Sequence, residues 1–196
     1  MTTYAGRPGR AVSNEWRTRD IVVTAVIGVA FGVVFWAWGA FAWGPLAGLN
    51  VIAPVAQDLF YAVWFIPAVL APLIVRKPGA AIFAELVAAG LSALIGSQWG
   101  IDVLVSGLAQ GAAAELVFLL ARYRLWTLPV LVAAAVATAI AAWIRDWIVY
   151  YGTVSLDIQL ARGAAMAISA IVIAGIGSLL LYRALKESGA LEGFPD

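Results

Sequence analysis

Residues Arg17–Ala42 read RTRDIVVTAVIGVAFGVVFWAWGAFA. Charge stops at Asp20, and no charged side chain follows between Ile21 and Ala42. A helix needs about 20 apolar residues to cross the hydrocarbon core of a bilayer, so this run is long enough to span. A cleavable secretory signal would carry a shorter apolar stretch behind a brief basic start. Here Met1–Asp20 is polar and holds Arg7, Arg10, Arg17 and Arg19. The reading is a cytoplasmic leader, residues 1–19, that feeds a first transmembrane helix.

The rest of the chain is written in the same language. Of its 196 residues 64% are hydrophobic and 12% charged, with a mean hydropathy of +0.96. Soluble chains hold about 45–50% apolar and about 25% charged residues. A globule of this size cannot hide so much apolar surface from water. The expected class is an all-α, polytopic membrane protein. A net charge of +1 argues against a nucleic-acid-binding field. With no Cys and no His, thiolate nucleophiles, the usual zinc sites and a Ser-His-Asp triad are excluded. No catalytic residue, metal site or resident cofactor is expected.

Apolar runs set against breakers predict six helices: Ile21–Ala42, Asp58–Val75, Pro78–Gly96, Ile101–Ala121, Thr127–Tyr151 and Ile158–Leu185. They form one transmembrane domain, residues 20–185, followed by a cytoplasmic tail, 186–196. Arg76-Lys77-Pro78-Gly79 puts two cations before a proline suited to a first helical turn. Arg76, Lys77, Arg122, Arg124, Arg183 and Lys186 share one side with the four leader arginines. The excess of cations predicts that both termini are cytoplasmic. No Walker A motif is present, so any nucleotide hydrolysis must come from another subunit.

The connection Trp43–Gln57, WGPLAGLNVIAPVAQ, is too apolar for a solvated loop and holds two prolines and two glycines. It is expected to be irregular rather than a regular helix. Irregular apolar backbone at a membrane face must lie against protein or line a cavity. The reading is a lid over an outward-facing pocket; the alternative is an interfacial segment anchored by Trp43.

Charges inside spans cost at least about 2–3 kcal/mol each and need a reason. Glu85 and Glu115 fall about 10 Å from the cytoplasmic edge on antiparallel helices, and Gln110 nearer the middle. Arg145, Asp146 and Arg162 fall in the outer half, with Tyr61 and Trp64. Three readings stay open. Asp146 pairs with Arg162 or Arg145 while the glutamates bond between helices; the groups form an ion path; or they line a pocket for an organic cation, with aromatic faces stacking on it. Helical phase groups Ser106 with Gln110, Glu85 with Ser92, and Trp143 with Asp146 and Tyr150. Depth and phase together allow a pocket of Tyr61, Trp64, Glu85, Ser92, Gln110, Asp146 and Tyr150, with Glu115 the weaker member.

Three segments carry a family resemblance: Tyr61-Ala-Val-Trp64-Phe-Ile, Arg76-Lys77-Pro78-Gly79-Ala-Ala…Glu85, and Gln110-Gly111…Ala114-Glu115. In that order they resemble the YkoE family, substrate-binding S components of energy-coupling-factor (ECF) vitamin transporters. The resemblance implies a six-helix bundle that captures thiamine or its hydroxymethylpyrimidine moiety from outside. It implies as partners a transmembrane coupling (T) subunit and two cytoplasmic ATPases. Tyr61, Trp64, Glu85, Gln110 and Asp146 carry over as motif residues. Thiamine's thiazolium cation suits carboxylates and aromatic faces. Two other classes stay open: a stand-alone secondary transporter of a small cationic solute, and an intramembrane enzyme using the glutamates.

Thr24, Gly28 and Gly32 repeat every four residues on the first helix, with Ala25 alongside. Such stripes let helices approach closely in lipid. The resemblance assigns this stripe to docking on the coupling subunit. The alternative is internal packing against the sixth helix, whose Gly163, Ala167, Ala170, Ala174 and Gly177 form a comparable row.

Overall fold

Long apolar runs divided by short polar turns wind into six helices among the residues described by a computed structural model, 15–51, 53 and 55–194. The leader up to residue 14, with Arg7 and Arg10, and the last two residues of the tail lie outside them. The helices are α1 (Thr18–Val51), α2 (Ala56–Val75), α3 (Ala80–Leu94), α4 (Asp102–Leu120), α5 (Leu128–Val149) and α6 (Leu156–Glu187). Five are long and apolar enough to cross a bilayer. The exception, α3, has 15 residues, about 22 Å at 1.5 Å per residue. Sequence reading extends it to Gly96. Instead, Gly96 takes a φ of 101° and Ser97 N–H bonds back to Ser92 C=O at 2.9 Å. That six-to-one bond closes the helix early.

A larger correction concerns Trp43–Gln57. Helix α1 does not stop at Ala42. It loosens into a π-helical turn at Trp38–Trp43, resumes as α-helix over Gly44–Ala47 and tightens over Gly48–Val51. Pro45 thus falls in the first turn of a fresh α segment, where no N–H is required of it. The widened turn before it absorbs the break. Helix α2 also changes winding, from 3₁₀ over Ala56–Phe65 to α over Ile66–Val75. Pro67 lies at this junction and has no N–H to continue either ladder.

The core gathers around α2 and α3. Every residue from Pro67 to Val75 is buried, and Phe65, Val69 and Leu73 join Phe118, Leu131 and Met166 in one apolar cluster. Helix α3 is alanine-rich and gripped from two sides. A Cβ on Gly28 would lie 2.6 Å from Val87 Cβ, and one on Gly32 2.8 Å from Leu91 Cβ. From the other side, a Cβ on Gly111 would lie 2.8 Å from Ile82 Cα. The small-residue stripe of α1 therefore packs inward. Thr24, Gly28 and Gly32 are buried, while Ala25 beside them is half-buried.

This sets Gly28 and Gly32, expected to dock a partner, against α3, with Thr24 buried and Ala25 half-buried beside them. It also corrects the internal alternative, since the stripe meets α3 rather than α6. On α6, Gly163 of the comparable row faces the Trp143 indole, and Gly175, next to Ala174 of that row, faces Val132, both on α5.

At one end of the bundle Trp16 Nε1 donates to Pro78 C=O at 3.0 Å, and the Arg19 guanidinium lies 4.8 Å from the Phe194 ring. Both described chain ends and the turn between α2 and α3 share that end. Trp43, Ser97 and Trp99 mark the opposite one, where the bundle holds a cavity.

Candidate ligand-binding site

The cavity has a volume of about 210 Å³ and opens between α1, α2, α3, α4 and α5. Tyr61, Trp64, Glu85, Ser92, Gln110, Asp146 and Tyr150, the seven residues grouped by depth and phase, all line it. So do Trp43, Ser97, Trp99, Asp102, Ser106, Arg145 and Tyr151.

Its deep end is set by the junction in α2. The Ala68 N–H belongs to the first turn of the α segment, where donors lack partners within the helix. Glu85 Oε1 accepts from it at 3.1 Å. Glu85 is wholly buried, yet its other oxygen, Oε2, has no hydrogen-bond partner among the described residues. A buried carboxylate oxygen left this way loses its hydration without return unless a donor reaches it. Nearby, Gln110 Nε2 donates to Ser106 Oγ at 2.9 Å, which holds the amide on the cavity side of α4.

The outer wall is a chain of charges. Arg145 pairs closely with Asp102 and reaches Asp146 Oδ1 at 3.3 Å. The Tyr150 hydroxyl donates to the same Asp102 carboxylate. The Tyr61 hydroxyl donates to Asp146 Oδ2 at 2.7 Å. Of the two partners considered for Asp146, the structure selects Arg145. Arg162 goes to Asp58 instead, with Nε and Nη2 at 2.9 and 3.1 Å from its two oxygens, and lies 3.5 Å from the Tyr151 ring centre. This two-pronged pair joins the start of α2 to α6 beside the cavity.

Aromatic rings close the space between the polar ends. Trp64 lies 4.7 Å from Trp43, 5.2 Å from Tyr61 and 5.4 Å from Trp99, centre to centre. Trp43 belongs to the π-helical turn, so the segment read as a lid does reach the cavity, but as helix. An amide clasp fixes the segment after it. Gln57 Nε2 donates to Trp43 C=O at 2.7 Å, and Asn50 and Gln57 exchange two bonds of 3.1 Å.

Two expected neighbours lie elsewhere. Glu115 is not level with Glu85 but lies nearer the other end, at the start of α3. Its carboxylate accepts from Gly79 N–H at 2.6 Å, Ala81 N–H at 3.0 Å and the Tyr123 hydroxyl at 2.6 Å. Burial, together with that carboxylate, pushes the Tyr123 phenol above its ordinary range. Trp143 shares the Asp146 stripe but turns away, donating to Gln159 C=O at 2.8 Å.

Sequence reasoning passed over Asp102, Arg145 and Trp99 as members of the site. The available signals were an arginine adjacent to Asp146 inside a span and a tryptophan in the short turn Ser97-Gln98-Trp99-Gly100.

Similar proteins bear on this geometry. Residues 19–141 match the family described as ABC-type cobalt transport system, permease component. Over 180 residues the chain is 35% identical to the putative HMP/thiamine permease protein YkoE of Bacillus subtilis (strain 168), covering 91% of this chain and 89% of that one. The fold matches a crystal structure of an S-component of an ECF transporter with a TM-score of 0.85 and 35% identity, over 91% of this chain and 90% of the other.

Proposed function

The chain belongs to the YkoE family of ECF-transporter S components, and from that premise we propose that its cavity captures thiamine or hydroxymethylpyrimidine (HMP) from outside the cell. The role is transport, with substrate binding as this subunit's share of it. The observation that carries the ligand reading is Glu85 Oε2, a buried acceptor without a donor, at the deep end of an aromatic-walled cavity. The exocyclic amine of an aminopyrimidine supplies an N–H of the kind this oxygen lacks. The charged lining residues are Glu85, Asp102, Asp146 and Arg145, an excess of acids that suits the thiazolium cation. Trp43, Tyr61, Trp64 and Trp99 offer faces and edges to both rings.

Orientation and partners follow from the same reading. Both chain ends face the cytoplasm, because the cation-rich connections lie at their end of the bundle. The captured ligand passes inward with a transmembrane coupling subunit and two ATPases, which supply the hydrolysis this chain has no motif for.

Equilibrium binding to the purified protein tests the proposal, with tryptophan fluorescence or calorimetry as the readout. Thiamine and HMP are expected to bind in competition with each other, and cobalt(II), the ion in the matched family's description, to displace neither. A protein indifferent to both organic ligands would refute the reading.

A further inference from the structure

Among the described residues' buried side-chain polar atoms that have no hydrogen-bond partner, two line the cavity: Glu85 Oε2 and Arg145 Nε. One accepts and the other donates. They also sit at different depths. A Cβ on Gly107 would lie 3.2 Å from the Glu85 carbonyl oxygen, which sets α4 in register with the deep end. Asp102, which holds Arg145, is five residues further out on the same helix. Five residues rise about 7 Å. The cavity therefore asks for a donor deep inside and an oxygen several ångströms further out.

We infer that Arg145 is a specificity residue that reads the far end of the ligand and favours whole thiamine over its pyrimidine fragment. The inference rests on the ligand reading above and deepens it. In HMP the hydroxyl sits on a carbon attached next to the amine-bearing ring carbon, so it stays beside the amine at the Glu85 end. In thiamine the hydroxyl ends an arm on the second ring, displaced from the amine along the long axis of the molecule. The outer wall also selects the state of that oxygen. Arg145 already faces Asp102 and Asp146, so the wall keeps an acidic excess and repels a phosphate while accepting a neutral alcohol.

The experiment measures thiamine, HMP and thiamine monophosphate binding to the parent, Arg145→Lys and Arg145→Gln proteins. Lysine keeps a cation for the two aspartates and removes the guanidinium Nε. In the parent, thiamine binds more tightly than either of the other ligands. In both variants the ratio of thiamine to HMP affinity falls about tenfold, the size of one hydrogen bond to a charged group. Equal loss of both ligands would make Arg145 a structural bridge and overturn the inference, as would monophosphate binding as tight as thiamine. A parent protein that binds neither thiamine nor HMP would remove the ligand reading itself, and this inference with it.

Discussion

Glu85 on α3 and Glu115 on α4 are both buried carboxylates on neighbouring helices, and they belong to two regions of unlike construction. Around Glu115 every oxygen is used. Two backbone N–H groups and a tyrosine hydroxyl converge on it, and it caps the start of α3 while tying down Tyr123. Around Glu85 one oxygen caps α2 and the other meets no donor. The region around Glu115 is closed by that carboxylate's own hydrogen bonds, whereas the region around Glu85 keeps about 210 Å³ open. Partnering within the protein separates a structural buried acid from one that, on the proposed reading, awaits a ligand. Both cost desolvation, but only the first recovers it within the protein.

The largest test of that contrast is Gly28→Trp. A Cβ alone would sit 2.6 Å from Val87 Cβ and 3.0 Å from Ala84 C=O, so an indole there cannot be housed without separating α1 from α3. The expected outcome is loss of folded protein in detergent, seen by size-exclusion chromatography and thermal unfolding. A folded, ligand-binding Gly28→Trp protein that fails only in uptake with the whole transporter would return the α1 stripe to docking. Next in size is Glu115→Ala, which leaves three donors without their acceptor. It should cost about 2–4 kcal/mol of stability and leave ligand affinity unmoved. A weaker ligand with unchanged thermal stability would join Glu115 to the site and erase the contrast.

Much of this was legible in the chain. Apolar length and breakers mark all six helices, and depth combined with helical phase selects seven side chains that do line one cavity. What escaped has physical causes. Prolines and glycines in Trp43–Gln57 argue against a helix, but a π-helical turn just before Pro45 lets α1 run on to Val51. A stripe of small residues shows that a helix will approach closely, not which helix, so α3 could not be told from α6 or from a partner. Arg145 reads in sequence as a charge needing a counter-ion. Only the folded arrangement shows that, with Asp102 and Asp146 both engaged, its Nε still lacks a partner. Trp99 enters the cavity because the turn carrying it packs on Gly39 of the π-helical turn, a contact between segments far apart in sequence.

On the reading proposed above, the unpartnered oxygen of Glu85 is there for a ligand. Thiamine affinity and thermal stability, measured side by side on the parent and on Glu85→Gln, test it most directly. Glutamine keeps an oxygen for Ala68 N–H but replaces a carboxylate acceptor with an amide. Thiamine and HMP affinity is expected to fall by about tenfold or more, the scale of a charge-assisted hydrogen bond, with unfolding temperature equal to or above the parent's. Unchanged affinity together with a lowered unfolding temperature would place Glu85 with Glu115 among the structural acids and contradict the account.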